Sequence, residues 1–185
     1  FLDRLVYTFD VEHASRVNAY EHVMRERNKL LEMGGADSYW LDSLEQKMAE
    51  GAAAIAAARL ACIEAINAIM QASTLSFPKA QLSAEGFMES RFQAGESSLA
   101  AEQSLREALA KNRSRDAAAG RALEGVHRSE LRVMHLEKQM PAESCSTGEQ
   151  KALLLSIVLS QTRTTAAQKG LIPVLLFDEI LSHLD

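Results

Sequence analysis

Cysteine and aromatic residues are scarce in this chain of 185 residues, and both shortages bear on the class of protein. The two cysteines, Cys62 and Cys145, are too few for a disulfide-rich scaffold and favour reduced thiols in a cytoplasmic protein. No apolar run approaches the roughly 20 residues of a membrane span, and no signal peptide is visible, so we expect no membrane association. Few aromatic residues and many alanines favour helices.

The chain also lacks several motifs that carry chemistry. It contains no Gly-x-x-x-x-Gly-Lys-Ser/Thr loop for nucleotide phosphates, no cysteine–histidine metal cluster and no convincing Ser-His-Asp arrangement. A net charge of −5 argues mildly against a freestanding nucleic-acid binder. Hydrophobic content of 47% and charged content of 24% are typical of one soluble globular domain, or one and a half. Because it begins at Phe1 and stops at Asp185, we expect the chain to be a fragment.

Two motifs close to the end of the chain carry the chemistry that is present. Residues 173–179 (PVLLFDE) are an apolar run followed by two acids, which predicts a strand buried on both faces. The acids then lie at the edge where open α/β sheets bind ligands. This pattern is typical of Walker B, in which Asp178 helps to hold Mg²⁺ and Glu179 orients or deprotonates the attacking water. A plain junction between a strand and a loop would have the same appearance.

The second motif precedes the first and opens a helix. Residues 146–150 (STGEQ) place Ser146 as N-cap and Glu149 three residues later, which predicts a capping box. The small residues Thr147 and Gly148 leave backbone N–H groups accessible at the positive end of the helix dipole, where phosphates bind readily. The bland alternative is an ordinary, well-capped helix in which Gln150 has no special role.

The order of these motifs resembles the ABC-type ATPase heads of the SMC and RecF group. Residues 145–150 are similar to the signature motif, 175–179 to Walker B, and 182–185 (SHLD) to the D-loop. Thr147 stands where many members carry Gly, and Cys145 where many carry Leu. The sequence of 146–154 (STGEQKALL) is most similar to the RecF family of bacterial DNA-repair proteins, as are residues 1–31 and 125–131. In the latter, Val126 replaces the Pro of the family's Gly-Pro-His-Arg segment.

The resemblance implies an ATP-dependent homodimer in which the signature helix of one head completes the phosphate site of the other. It implies that ATP and Mg²⁺ are the cofactors and that Glu179 is catalytic. Walker A residues outside this chain would complete the site, so the chain alone is expected to be inactive. DNA, single-stranded or as gapped duplex, and RecR are the implied partners, in RecA loading during DNA repair, replication and the SOS response. The residues that the resemblance assigns to ATP are Ser146, Thr147, Gly148, Glu149, Gln150, Asp178 and Asp185, with Asp178 also on Mg²⁺.

A locally basic segment runs from Arg106 to Arg132. Arg113, Arg115 and Arg128 are candidates for contacts to DNA phosphates, although a solvated helix face would show the same pattern. His127 has two interpretations as well, a structural histidine or a contact to nucleotide or DNA.

The predicted fold class is α/β with a large helical part. Residues 1–119 are predicted to form a helical lobe of antiparallel helices with short strands near 74–89. Residues 120–185 are predicted to form the C-terminal part of the ATPase core, beginning with a half-buried strand at 131–136. Two alternatives stay open: the head of another SMC-like chromosome-maintenance ATPase, or a non-catalytic helical interaction module.

Overall fold

Helices dominate the computed structural model, which describes residues 2–34, 37–170 and 173–176. The elements in chain order are α1 (Leu2–Tyr7), α2 (His13–Met33), α3 (Ser38–Ala72), β1 (Ala80–Glu85), α4 (Phe87–Gln93), α5 (Ser98–Lys111), α6 (Arg113–Ala119), β2 (Glu130–His135), β3 (Met140–Pro141) and α7 (Thr147–Lys169). The strands form one sheet in the order β1-β2-β3, and β2 pairs with β3 in antiparallel orientation. The predicted fold class, a large helical part combined with a sheet, is confirmed.

The chain divides into two compact units, each discontinuous in sequence. The first contains residues 1–9, 61–83 and 131–185, and the second contains 10–60 and 84–130, insofar as these are described. A boundary between 119 and 120, as drawn from the sequence, stays a prediction.

An antiparallel helical hairpin forms the frame of the second unit. Tyr20 on α2 lies against Gly51 on α3, and Arg27 on α2 bonds Glu45 on α3, so the residue numbers rise along one helix and fall along the other. Asp37 accepts a hydrogen bond from the backbone N–H of Tyr39 at 3.0 Å and so caps α3, as its position before the helix predicts. The expected antiparallel helices are therefore present.

The core of the second unit lies along one face of α3. Met48, Ile55, Met88, Leu105 and Leu109 are almost completely buried there, and their spacing on α3 and α5 follows the helical period. The run of small residues on α3, Ala49, Ala52, Ala53 and Ala56, is buried in the same cluster. Small side chains allow neighbouring helices to approach closely.

By length and composition alone, α3 could cross a membrane, although Arg59 and Glu64 interrupt its apolar run. However, 50% of its most apolar stretch is buried inside the protein. It also carries Glu45 and Arg59 as buried, charge-paired residues. The core helix of a soluble protein passes the same test, and the packing of α3 fits that description.

The segment 74–89 departs from its prediction at one end. Only β1 is a strand there, and Phe87 begins α4 instead of ending a second strand. The reason lies in tertiary packing, because two buried residues occupy the first turn of α4. Met88 packs into the core, and Glu89 forms an ion pair with Arg59.

In the first unit, an asparagine joins a helix to the sheet. The side chain of Asn67 on α3 donates to the backbone oxygen of Leu82 at 2.8 Å and accepts from its N–H at 2.9 Å. This amide therefore satisfies both backbone groups of Leu82, as a neighbouring strand would.

The strand predicted at the start of the Walker B motif is not formed in residues 173–176, which take no regular secondary structure. Val174 and Leu176 are 86% and 92% exposed, so the expectation of burial on both faces was wrong for these residues. A strand requires hydrogen-bonded neighbours, and among the described residues the sheet contains only β1, β2 and β3.

Candidate functional site

A short hairpin leads directly into the candidate signature loop. Strands β2 and β3 pair with Met134 opposite Pro141 and His135 opposite Met140, and the chain reverses over residues 136–139. After a 3₁₀ turn at Ala142–Ser144, the backbone is extended at Cys145 and Ser146, with ψ angles of 161° and 158°. Helix α7 then begins at Thr147, so the hairpin and the helix N-terminus are neighbours in the chain.

The capping box predicted from the sequence is present at this helix end. The Ser146 hydroxyl accepts the backbone N–H of Glu149 at 3.4 Å, and the Glu149 carboxylate accepts the N–H of Ser146 at 2.9 Å. Both bonds fix the start of α7 and account for two N–H groups that a helix N-terminus leaves without intrahelical partners.

A lysine that the sequence analysis missed completes this arrangement. Lys138, in the hairpin turn, forms an ion pair with Oε1 of Glu149. The pKa of Glu149 is lowered to about 2, chiefly by this ammonium group and to a smaller extent by the two hydrogen bonds with Ser146. Eleven residues separate the two side chains, and no helical or strand period joins them, so no pattern in the sequence could have paired them.

The loop before α7 is held by its own side chains. The Gln150 amide donates to the carbonyl oxygens of Cys145 at 3.1 Å and Glu143 at 3.4 Å. The Cys145 thiol is buried and lies 3.6 Å from the carbonyl oxygen of Pro141. Gln150 thus ties the loop to the start of α7, while Ser146 and Thr147 remain exposed.

The arrangement is suited to bind an anion presented by another molecule. Ser146 and Thr147 are exposed, and the N–H groups of Thr147 and Gly148 occupy the first turn of α7 at the positive end of its dipole. Because the Ser146 oxygen accepts the Glu149 N–H, its own O–H remains able to donate. The structure therefore brings together the five residues 146–150 that the sequence singled out.

The carboxylates predicted to act with this loop lie outside the described residues. These are Asp178, Glu179 and Asp185, so their Walker B, magnesium and D-loop assignments stay predictions. Within residues 2–34, 37–170 and 173–176, no group of three or more histidine, cysteine or acidic side chains is arranged to hold a metal ion.

The three arginines proposed for DNA differ in their surroundings. Arg113 is only 23% exposed and pairs with Glu45 and Asp42, which raise its pKa further above its usual range. Arg115 and Arg128 are exposed, and Arg115 makes a long 3.4 Å bond to the Asn112 amide. The sequence could not distinguish these arginines, because the carboxylates that form ion pairs with Arg113 lie far away in the chain, on α3.

His127 has both ring nitrogens engaged inside the protein. Its Nε2 lies 3.0 Å from the carbonyl oxygen of Ala122, so this nitrogen donates, and Nδ1 accepts the Tyr20 hydroxyl at 3.0 Å. Burial lowers the pKa of His127 below its usual value. Of the two interpretations that the sequence left open, this geometry favours a structural histidine.

The loop around His127 is held by buried side chains although it carries Val126 in place of proline. The Val126 carbonyl accepts from Arg59 at 2.8 Å, and Arg59 also pairs with the buried Glu89. A side chain at Gly125, where φ is 135°, would clash with the Tyr20 hydroxyl. Hydrogen bonds therefore supply the order that the missing proline ring would have given.

A buried cluster of charges joins four helices in the same unit. Arg27 has no exposed surface, and its guanidinium donates to Glu45 at 2.9 Å and to the carbonyl oxygen of Leu109 at 2.9 Å. It also lies 2.8 Å from a carboxylate oxygen of Asp116. Since Glu45 is shared with Arg113, the cluster fixes α2, α3, α5 and α6 together.

Comparison with curated proteins shows similarity along the whole chain. The chain is 48% identical to the "DNA replication and repair protein RecF" of Brucella abortus (strain 2308), an alignment that covers 100% of this chain and 48% of that protein. It is 48% identical to RecF of Mesorhizobium japonicum and 46% identical to RecF of Agrobacterium fabrum, again over its full length and 49% of each relative. The chain thus spans about half the length of the curated relatives it matches. No protein-family model matches it.

Solved structures show the same fold. One described as the recombination mediator protein RecF-ATPrS in the RecFOR pathway superposes with a TM-score of 0.85 at 22% identity, and covers 100% of this chain and 50% of that one. Another, described as RecF-ATP, gives a TM-score of 0.84. The resemblance read from the motifs and from residues 1–31 and 125–131 is therefore confirmed.

Proposed function

Since the chain is related to RecF over all of its 185 residues, we propose that it supplies the helical lobe and the signature-motif part of a RecF-like ATPase head. In the whole protein, this head uses ATP to form a homodimer that binds DNA during repair and replication. The observation that carries the proposal is the capped N-terminus of α7, at which Ser146 and Thr147 are exposed.

The capped helix supports a role at the phosphates of ATP. A helix N-terminus binds phosphate with backbone N–H groups and the Ser146 hydroxyl, but it provides neither a nucleotide pocket nor a catalytic base. In the arrangement that the relation to RecF suggests, the α7 end of one head contacts the γ-phosphate of ATP held by the other, which links dimer formation to nucleotide binding.

The chemistry of hydrolysis is assigned to the two acids of the Walker B motif. Asp178 would hold Mg²⁺ together with Walker A residues outside this chain, and Glu179 would orient or deprotonate the water. Asp185 of the D-loop contacts the partner's nucleotide. When bound, Mg²⁺ neutralises the charge that develops on the phosphate oxygens.

The DNA surface is proposed on the second unit, around Arg115 and Arg128. Lys111 and Arg121 are exposed in the same unit. Two acids lie between Lys111 and Arg128. Asp116 is 1% exposed and paired with Arg27, so its charge does not oppose a phosphate at the surface, whereas Glu124 is half-buried. Binding to single-stranded or gapped DNA, partnership with RecR in RecA loading, a part in the SOS response and a cytoplasmic location follow from the relation to RecF.

The decisive experiment places a large cation at the exposed cap. In the full-length protein, Ser146→Arg is expected to bind ATP on single heads normally but to stay monomeric, because the side chain blocks the partner's phosphate. Sedimentation velocity with and without ATP measures the dimer, and nucleotide binding is followed separately.

Ser97→Arg is the matched control, because Ser97 is also an exposed N-cap serine, at the start of α5. It removes a comparable cap elsewhere and is expected to dimerise like the unmodified protein. If Ser146→Arg formed ATP-dependent dimers as well as the control did, the assignment of the signature loop would be wrong.

A further inference from the structure

The negative charge of Glu149 has two opposing effects at the start of α7. It stabilises the helix, but it would repel a phosphate bound there. The Glu149 carboxylate closes the capping box on the Ser146 N–H, and a negative charge in the first turn stabilises a helix. The same charge lies beside the N–H groups of Thr147 and Gly148, where the proposed function places a phosphate. A bare carboxylate there would repel the ligand.

The size of this repulsion follows from Coulomb's law. For one phosphate charge at a separation of roughly 8 Å, an uncompensated carboxylate would weaken binding about 2-fold in bulk water and about 30-fold where water is largely excluded. An interface between two heads lies between these limits. Neutralising Glu149 without losing its hydrogen bond to Ser146 would remove the conflict.

Lys138 is placed to do this by the hairpin. The register of β2 and β3 puts Lys138 in the turn, and its backbone N–H lies 3.4 Å from Nδ1 of the buried His135. Its ammonium contacts the carboxylate oxygen that does not cap Ser146, since Lys138 takes Oε1 and Ser146 takes Oε2. The carboxylate thus serves both groups at once.

We propose that Lys138 is a positioning residue of the signature loop, which neutralises Glu149 and so lets the N-terminus of α7 accept the phosphate of ATP from a second head. This inference rests on the proposed function. Lys138 acts through Glu149 and does not itself touch the nucleotide. Its contribution should therefore depend on whether residue 149 carries a charge.

A double-mutant cycle in the full-length protein tests this dependence. Lys138→Gln is expected to weaken ATP-dependent dimerisation about 3- to 10-fold at low salt, and less at high salt, where the charge on Glu149 is screened. Glu149→Gln keeps the capping box, because Gln also serves at this position, and it provides the uncharged background in which the effect of Lys138→Gln is measured again. In that background, adding Lys138→Gln should change dimerisation by no more than about 2-fold relative to Glu149→Gln alone.

Three controls accompany the cycle. Lys169→Gln removes the same charge from an exposed position in the last turn of α7 and should leave the dimer unchanged. Binding of ATP to single heads should be equal in all variants, and thermal unfolding shows that each is folded. A purely structural role for Lys138 would lower the melting temperature without the salt dependence.

The outcomes separate this inference from the proposed function. If Lys138→Gln weakens the dimer equally with Glu149 and with Gln at that position, Lys138 contacts the phosphate directly and the inference is wrong. It is also wrong if Lys138→Gln has no effect while Ser146→Arg blocks dimerisation. If Ser146→Arg dimerises normally, the proposed function itself fails.

Discussion

Replacing Arg27 by methionine should cost more stability than replacing any arginine of the basic segment, because Arg27 is completely buried among carboxylates. Methionine fills a similar volume but donates no hydrogen bond. Asp116 then keeps the bond from the Leu123 N–H at 3.0 Å, and Glu45 keeps its bond with Arg113. Breaking a buried ion pair by removing one partner typically costs about 3–5 kcal/mol, and we expect Arg27→Met to lie in this range.

Two comparisons make this estimate specific. Arg113→Gln removes a partly exposed arginine and leaves Glu45 paired with Arg27, so it should cost only about 1 kcal/mol. Adding Asp116→Asn to Arg27→Met removes the unpaired charge and should recover part of the loss, since the cost arises from an uncompensated carboxylate.

Urea unfolding of the chain, followed by the fluorescence of its single tryptophan, Trp40, gives the free energies. Trp40 lies on α3 in the same unit as the cluster. The reasoning would be refuted if Arg27→Met cost less than Arg113→Gln, or if Asp116→Asn made the Arg27→Met protein less stable still.

Three further predictions concern the other sites. Burial lowers the pKa of His127, so its contribution to stability is present above about pH 6.5 and is lost as the pH falls from there towards the folded pKa. The stability of His127→Gln, which cannot titrate at this position, should depend less on pH across this window. An equal pH dependence would contradict the assignment of a structural histidine. In the full-length protein, the double variant Arg115→Ala, Arg128→Ala should reduce the slope of log DNA affinity against log salt concentration by up to about two units, whereas Arg113→Ala should change it little. If the double variant had the slope of the unmodified protein, the basic segment would be a solvated face and not a DNA contact. Glu179→Gln should bind ATP and accumulate as a trapped dimer with turnover reduced by roughly 10²-fold, while Asp178→Asn should weaken Mg-ATP binding. A phosphate-release assay measures turnover, and size-exclusion chromatography with and without ATP measures the dimer. Normal turnover by Glu179→Gln would show that the Walker B assignment is wrong.

The sequence by itself determined what depends on neighbours along the chain. The helices that dominate residues 1–72 were predicted, because a helical period and a capping residue act over one or two turns. The capping box of Ser146 and Glu149 was predicted for the same reason, since its two bonds span three residues. The relation to RecF was likewise legible in short motifs.

Tertiary structure alone decided which charged side chains remain available. Arg113 and Arg115 look alike in sequence, but the fold brings Glu45 and Asp42 to the first and leaves the second in solvent. Likewise, Lys138 meets Glu149 only because a hairpin turns the chain back towards α7, and His127 meets Tyr20 from 107 residues away. A charge or a ring nitrogen carries no local signal of its partner, since burial and pairing are set by how the helices and strands pack.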